Sequence, residues 1–171
     1  MKKTLLKLLK SLSFLPAFLM LFMIFFFSSQ TGSESGELSY RVTYKVVEKG
    51  AEVIHKDMTS DQLATYTNLF HHPMRKLAHM GEYALLAMSI YLPLYVYYGI
   101  RGGRLLLFSF LLSVCLAAGD EFHQSLVAGR GPALKDVGFD SIGITAGLIG
   151  ASIIRWILLK LLPIRSEKTC I

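Results

Sequence analysis

The chain has 171 residues, 53% of them hydrophobic, with a mean hydropathy of +0.47 and a formal net charge of +6. Its length suits one domain, and its apolar runs are too long and too free of charge for a soluble core, so a bilayer is the expected solvent. The cations border those runs without a basic stripe interleaved with aromatics, which argues against a nucleic-acid partner, and Cys115 and Cys170 have no disulfide or metal spacing.

Four apolar runs, Leu12–Phe27, Leu77–Tyr98, Leu105–Gly119 and Val137–Leu162, predict an all-α integral membrane protein. The expected architecture is a bundle of four transmembrane helices in a single domain, 1–171, with spans at 12–28, 77–98, 105–124 and 137–160. The first run follows Lys2, Lys3, Lys7 and Lys10, as in a signal peptide. Phe25-Phe26-Phe27-Ser28-Ser29-Gln30 offers no small-x-small cleavage site, so an uncleaved anchor is expected.

A long outer loop, 31–73, comes next. Thr31–Gly36 reads as flexible, and Tyr40–Val47 alternates as a short strand would. Thr59-Ser60-Asp61-Gln62 is a capping box that opens a helix through Leu69 or Phe70, and Pro73 breaks the chain before Arg75. His55, His71 and His72 fall in this loop and read as solvated residues. Pro93 places a kink in the second run. The link Gly99–Arg104 carries Arg101 and Arg104 with no acid. The third run has 15 residues, fewer than the roughly 20 a helix needs to cross, so it must continue through Asp120, Glu121, His123 and Gln124. The fourth has Asp136 and Asp140 in its first turns, and it ends among Arg155, Lys160, Arg165 and Lys168 against the one acid Glu167. The three basic segments share one side, which the positive-inside rule makes cytoplasmic. Both termini are therefore expected inside the cell membrane.

The other side collects the mixed charges. Arg75, His79 and Glu82 are spaced i, i+4, i+7 on one helix face, with Tyr83 beside them. Asp120, His123 and Gln124 share a face of the third helix, with Glu121 on its flank. On the fourth, Asp136 and Asp140 are followed at helical spacing by Gly143, Gly147 and Gly150, which let a neighbouring helix approach closely. The turn Gly129-Arg130-Gly131-Pro132 aims Arg130 back over this level, and Ser28, Ser29 and Gln30 end the first helix at the same height. Charge so near hydrocarbon is costly, so these groups must pair around a partly wet cavity. Two readings stay open. The set neutralises itself for structure alone, with Lys76 snorkelling; or it forms a recognition or reaction site facing outward.

Several blocks in this order resemble the VanZ-like membrane protein family, to which teicoplanin-resistance proteins belong. They are Phe27-Ser28-Ser29-Gln30, Arg75-Lys76-Leu77-Ala78-His79 with Glu82-Tyr83, Asp120-Glu121-Phe122-His123-Gln124, Gly129-Arg130, and Asp136-x-x-x-Asp140-x-x-Gly143-x-x-x-Gly147. Asp140 departs from the family's usual Asn, and the outer loop has no counterpart in the common pattern. The resemblance implies a small polytopic membrane protein, in some members tied to lowered susceptibility to lipid-anchored glycopeptides. It carries Arg75, Lys76, His79, Glu82, Asp120, Glu121, His123, Gln124, Arg130 and Asp136 over as site residues.

Three functions compete. An accessory cell-envelope protein would use Arg75, Lys76, Asp120, Gln124, Arg130, Asp136 and Asp140 to bind a lipid head group or lipoglycopeptide, because guanidinium suits phosphate through paired hydrogen bonds. A membrane-surface enzyme would draw on His79, Glu82, Glu121 and His123, either as general acid and base or around a divalent metal. Their spacing does not specify a metal, so no cofactor is expected. A transporter is disfavoured because the polar set stops at one level.

Overall fold

In a computed structural model the described residues are 8, 10–131 and 134–161, and all their regular structure is helical. A single 3-10 turn, Leu12–Phe14, leads into α1 (Leu15–Ser28); α2 (Gly32–Val53), α3 (Ser60–Val96), α4 (Gly102–Ser125) and α5 (Leu134–Leu161) follow. The readings made on Lys2, Lys3, Lys7, Pro132, Arg165, Glu167, Lys168 and Cys170 lie outside the described residues.

The predicted outer loop is instead a helical hairpin made of α2 and the first turns of α3. The expected strand at Tyr40–Val47 lies within α2, and Thr31–Gly36 is its capped first turn rather than a flexible leader. Thr31 Nα donates to Glu34 Oε2 at 2.9 Å while Glu34 Nα donates to Thr31 Oγ1 at 3.3 Å, so two amides left over at the helix start are satisfied reciprocally. An i, i+4 pair between Arg41 and Glu37 lies further along. The tyrosine–valine alternation that suggests a strand lost to a helical period: Thr43 and Ala51, eight residues apart, are buried on one face.

The expected capping box at Thr59 opens α3, with Gln62 as its partner. However, Pro73 does not break the chain. It lies, like Pro93, inside one helix of 37 residues. A proline interrupts the hydrogen-bond ladder at a cost of about 3 kcal/mol, and the packing of α2 against α3 works against that cost here. His71 is accordingly no solvated loop residue: its Nε2 lies 3.3 Å from Gly36 O, and its ring faces Tyr40 across the hairpin.

At 1.5 Å per residue α3 is roughly 55 Å long, well beyond a hydrocarbon core of about 30 Å. It touches every other helix. Its lower half buries Tyr83, Leu86, Ala87, Ile90 and Tyr91, and against these pack Leu105 and Ala117 of α4 and Ile144 and Leu148 of α5. The expected glycine face of α5 is real at two of its three positions. A Cβ at Gly143 would sit 2.8 Å from Met80 Cα, and one at Gly147 would sit 2.8 Å from Ala84 Cα, with the carbonyl oxygens closer still. Gly150 makes no such approach, since its nearest neighbour is Met88 Sδ at 4.0 Å.

Outside this core the helices present Phe18, Phe22 and Phe26 on α1, Leu107 and Leu111 on α4, and Ile149, Ile153 and Trp156 on α5. So broad an apolar exterior suits lipid rather than water. Two helices are long and apolar enough to cross a membrane by length and composition, Gly102–Ser125 and Lys135–Leu161. A third crossing arises if the bent pair Leu12–Ser28 and Gly32–Val53, which turns through 109°, counts as one span.

Candidate functional site

The ends of α1 and α4, the middle of α3 and the start of α5 meet where α1 stops. Asp120 is the centre of this junction and is 2% exposed. Its Oδ2 accepts three hydrogen bonds: from Ser28 Oγ at 2.9 Å, Tyr83 Oη at 2.8 Å and Gln124 Nε2 at 2.8 Å. Gln124 Nε2 also lies 3.0 Å from Ser28 Oγ, so α1, α3 and α4 close on a single carboxylate. Three donors on one oxygen offset much of the cost of burying this polar group. Oδ1 of the same side chain is buried with no partner among the described residues.

Around this core lie two half-buried pairs. Lys76 Nζ meets Asp136 Oδ1, joining α3 to α5, and lies 4.4 Å from the centre of the Phe139 ring. His79 Nδ1 is 3.5 Å from Glu82 Oε2, one turn on. Asp140, the departure from the family pattern, is 6% exposed and adds a second buried carboxyl on the α5 side.

Arg130 arrives from the α4–α5 linker and donates to Phe27 O at 3.1 Å, near the last turn of α1. Its approach is set just before it. Gly129 has φ +76, a conformation that side chains resist, and Gly32 N donates to Ala128 O at 3.1 Å, tying the linker to the start of α2. Burial first, and then the like charge of Arg75, lower the Arg130 guanidinium from its ordinary value.

Two cavities lie on either side of Arg75 and His79. The smaller, about 50 Å³, is bounded by Lys76, Glu121, Gln124, Asp136 and Asp140. The larger, about 180 Å³, runs under α2 and is lined by Arg75, Arg130, Glu82 and Gln30 together with Phe27, Leu38, Val42, Met74 and Ala78. Its wall is mostly apolar.

Of the residues singled out in the sequence, Arg75, Lys76, His79, Glu121, Gln124, Asp136 and Asp140 share the smaller cavity, and Glu82 and Arg130 join at the larger one. Asp120 lies beneath them as the buried hub. His123 stands apart: its Nε2 is 3.2 Å from Ser29 Oγ and its ring packs edge-on against Phe25. The imagined ligand set of His79, Glu82, Glu121 and His123 is therefore not assembled. Among the described residues no group of three or more His, Cys, Asp or Glu side chains is placed to hold a metal ion. Tyr83, placed by its i+4 spacing beside His79, and Ser28, placed at the height where α1 ends, are direct partners of Asp120. Both also stand in the motif blocks of the family resemblance.

Apolar helices of membrane length, with buried and half-buried charge gathered at one end, define an integral membrane protein whose polar chemistry sits at a bundle mouth. The chain belongs to the VanZ/LLP1 family, whose model matches residues 13–155, so the resemblance drawn from its motifs holds. No curated protein and no solved structure matches it.

Proposed function

We propose that this protein is an accessory cell-envelope protein that binds the anionic head group of a lipid or lipoglycopeptide in the crevice beneath α2, lowering susceptibility to teicoplanin-type glycopeptides. One observation carries the reading: Arg75 and Arg130 line one cavity together with the apolar Phe27, Leu38, Val42, Met74 and Ala78. Guanidinium groups pair with phosphate or carboxylate through matched hydrogen bonds, and the apolar wall accepts the attached chain. The apolar lining does not suit a fully soluble ligand.

In this reading four segments cross the bilayer: α1, the lower part of α3, α4 and α5. The α2–α3 hairpin lies outside, and both termini are cytoplasmic. Lys10, Arg101, Arg104 and Lys160, all at the end away from the crevice, support that orientation.

A second reading, a membrane-surface enzyme acting on head groups, is favoured by the pair His79–Glu82. Its members are 3.5 Å apart, and His79 borders both cavities, where it could take a proton from a bound group. Lipid extracts from cells with and without the protein separate the two, read beside teicoplanin susceptibility of strains carrying Arg75→Gln or Arg130→Gln. A binder leaves head-group composition unchanged and loses protection in both variants while each protein stays in the membrane. An altered head-group species, lost with His79→Ala, makes it an enzyme.

A further inference from the structure

At the opposite end of the bundle a second basic site has no role in the foregoing. Tyr95, near the end of α3, is stacked 6.3 Å from Tyr91 and has two guanidiniums about it. Arg101 Cζ lies 3.7 Å from the ring centre and Arg155 Cζ lies 5.5 Å from it. Arg101 is held there by its own backbone contacts, donating through NH1 to Tyr95 O and to Ile100 O at 2.9 Å. Arg155 has no such support. Its Nε is buried without a hydrogen-bond partner among the described residues, although α5 carries it inside a segment long and apolar enough to span a membrane.

Arg155 opens onto a groove of about 380 Å³ between α3 and α5, otherwise walled by Met88, Leu92, Ile154 and Leu158 among other apolar side chains. No acidic residue lines it among the described residues. Two cations held around one ring repel each other, and Arg155 also lies within a membrane-length segment, so an anion beside them relieves both costs. We propose that this groove is a binding site for one anionic phospholipid, its phosphate on Arg155 and Arg101 and one acyl chain along the α3–α5 seam. The occupant is a lipid rather than a soluble phosphate because the guanidinium is set among the apolar side chains of the trough, and a fork of N–H donors fits a phosphodiester.

Native mass spectrometry of the detergent-purified protein titrated with phosphatidylglycerol, phosphatidylcholine of the same acyl chains, and glycerol 3-phosphate tests this. The parent should retain phosphatidylglycerol in preference to phosphatidylcholine and ignore glycerol 3-phosphate. Arg155→Gln should weaken phosphatidylglycerol retention roughly tenfold, the worth of one charge-assisted contact, while Arg155→Lys keeps part of it. The loss with Arg155→Gln should persist in an Arg75→Gln background, where any lipid held in the crevice at the other end is already released. Equal retention of the two phospholipids, equal binding of glycerol 3-phosphate, or no loss with Arg155→Gln in that background would overturn the assignment. If neither arginine variant folds, Leu158→Trp, which fills the trough without touching charge, must displace the lipid for the proposal to stand.

Discussion

Asp120→Ala is the perturbation whose cost the structure lets one work out. It removes the single acceptor shared by Ser28, Tyr83 and Gln124. The Tyr83 hydroxyl belongs to a residue 1% exposed and would be stranded, at about 1–3 kcal/mol. Ser28 can turn its hydroxyl back onto its own helix, and the half-buried Gln124 can reach water, so these two add less. Against the loss stands relief from burying a carboxylate whose Oδ1 has no partner among the described residues. The stranded Tyr83 hydroxyl and the two weakened donors outweigh one orphaned oxygen, and the net destabilisation is about 2–4 kcal/mol. For a chain of this size that lowers the midpoint of a thermal melt in mild detergent by about 5–15 °C. Asp120→Asn keeps an oxygen acceptor and should lose distinctly less. Tyr83→Phe combined with Asp120→Ala should cost less than the sum of the two, because both remove one bond. A melt of Asp120→Ala within about a degree of the parent, or strict additivity with Tyr83→Phe, would refute the hub.

Other predictions follow from the close helix contact and the capped hairpin. Gly147→Ala places a Cβ 2.8 Å from Ala84 Cα, and the forced separation of α3 and α5 should cost about 1–3 kcal/mol, reduced by the better helix propensity of alanine; Gly150→Ala meets nothing nearer than 4.0 Å and should be neutral or stabilising in the same melts. Thr31→Ala should speed amide exchange across residues 32–36 at every pH. In the parent, hydrogen bonds from the Thr31 amide and hydroxyl hold the Glu34 carboxyl below its ordinary value, so protection of that turn is full above the ordinary value and is lost as pH falls through the lowered one. Exchange in the parent turn that stays flat on acidification, after correction for intrinsic rates, would remove that role for Glu34.

What was legible beforehand follows from which forces act locally. The apolar runs located α1, α4 and α5 to within a few residues, because membrane-length hydrophobicity is a property of the run itself. The i, i+4 spacings of Arg75 with His79 and of Asp120 with Gln124 placed them on common faces for the same reason. The hairpin is not legible in the apolar pattern, although Thr31-x-x-Glu34 is a capping signature as plain as Thr59-x-x-Gln62. The tyrosine–valine alternation and Pro73 masked a helix whose formation rests on α2 and α3 packing together, information that no short window contains. His123 illustrates the same limit: adjacent to Gln124 in the chain, it turns to Ser29 and Phe25 while Gln124 turns to Asp120.

The account depends most on the charged end of the bundle facing away from the cytosol. The direct measurement is labelling of intact cells with a membrane-impermeant maleimide, in a Cys115→Ser, Cys170→Ser background carrying His72→Cys or Gly131→Cys beside the crevice, or Gly103→Cys at the basic end. His72→Cys and Gly131→Cys should react from outside and Gly103→Cys only after permeabilisation; the reverse pattern, or His72→Cys and Gly131→Cys reacting from opposite sides, would contradict the outward-facing site.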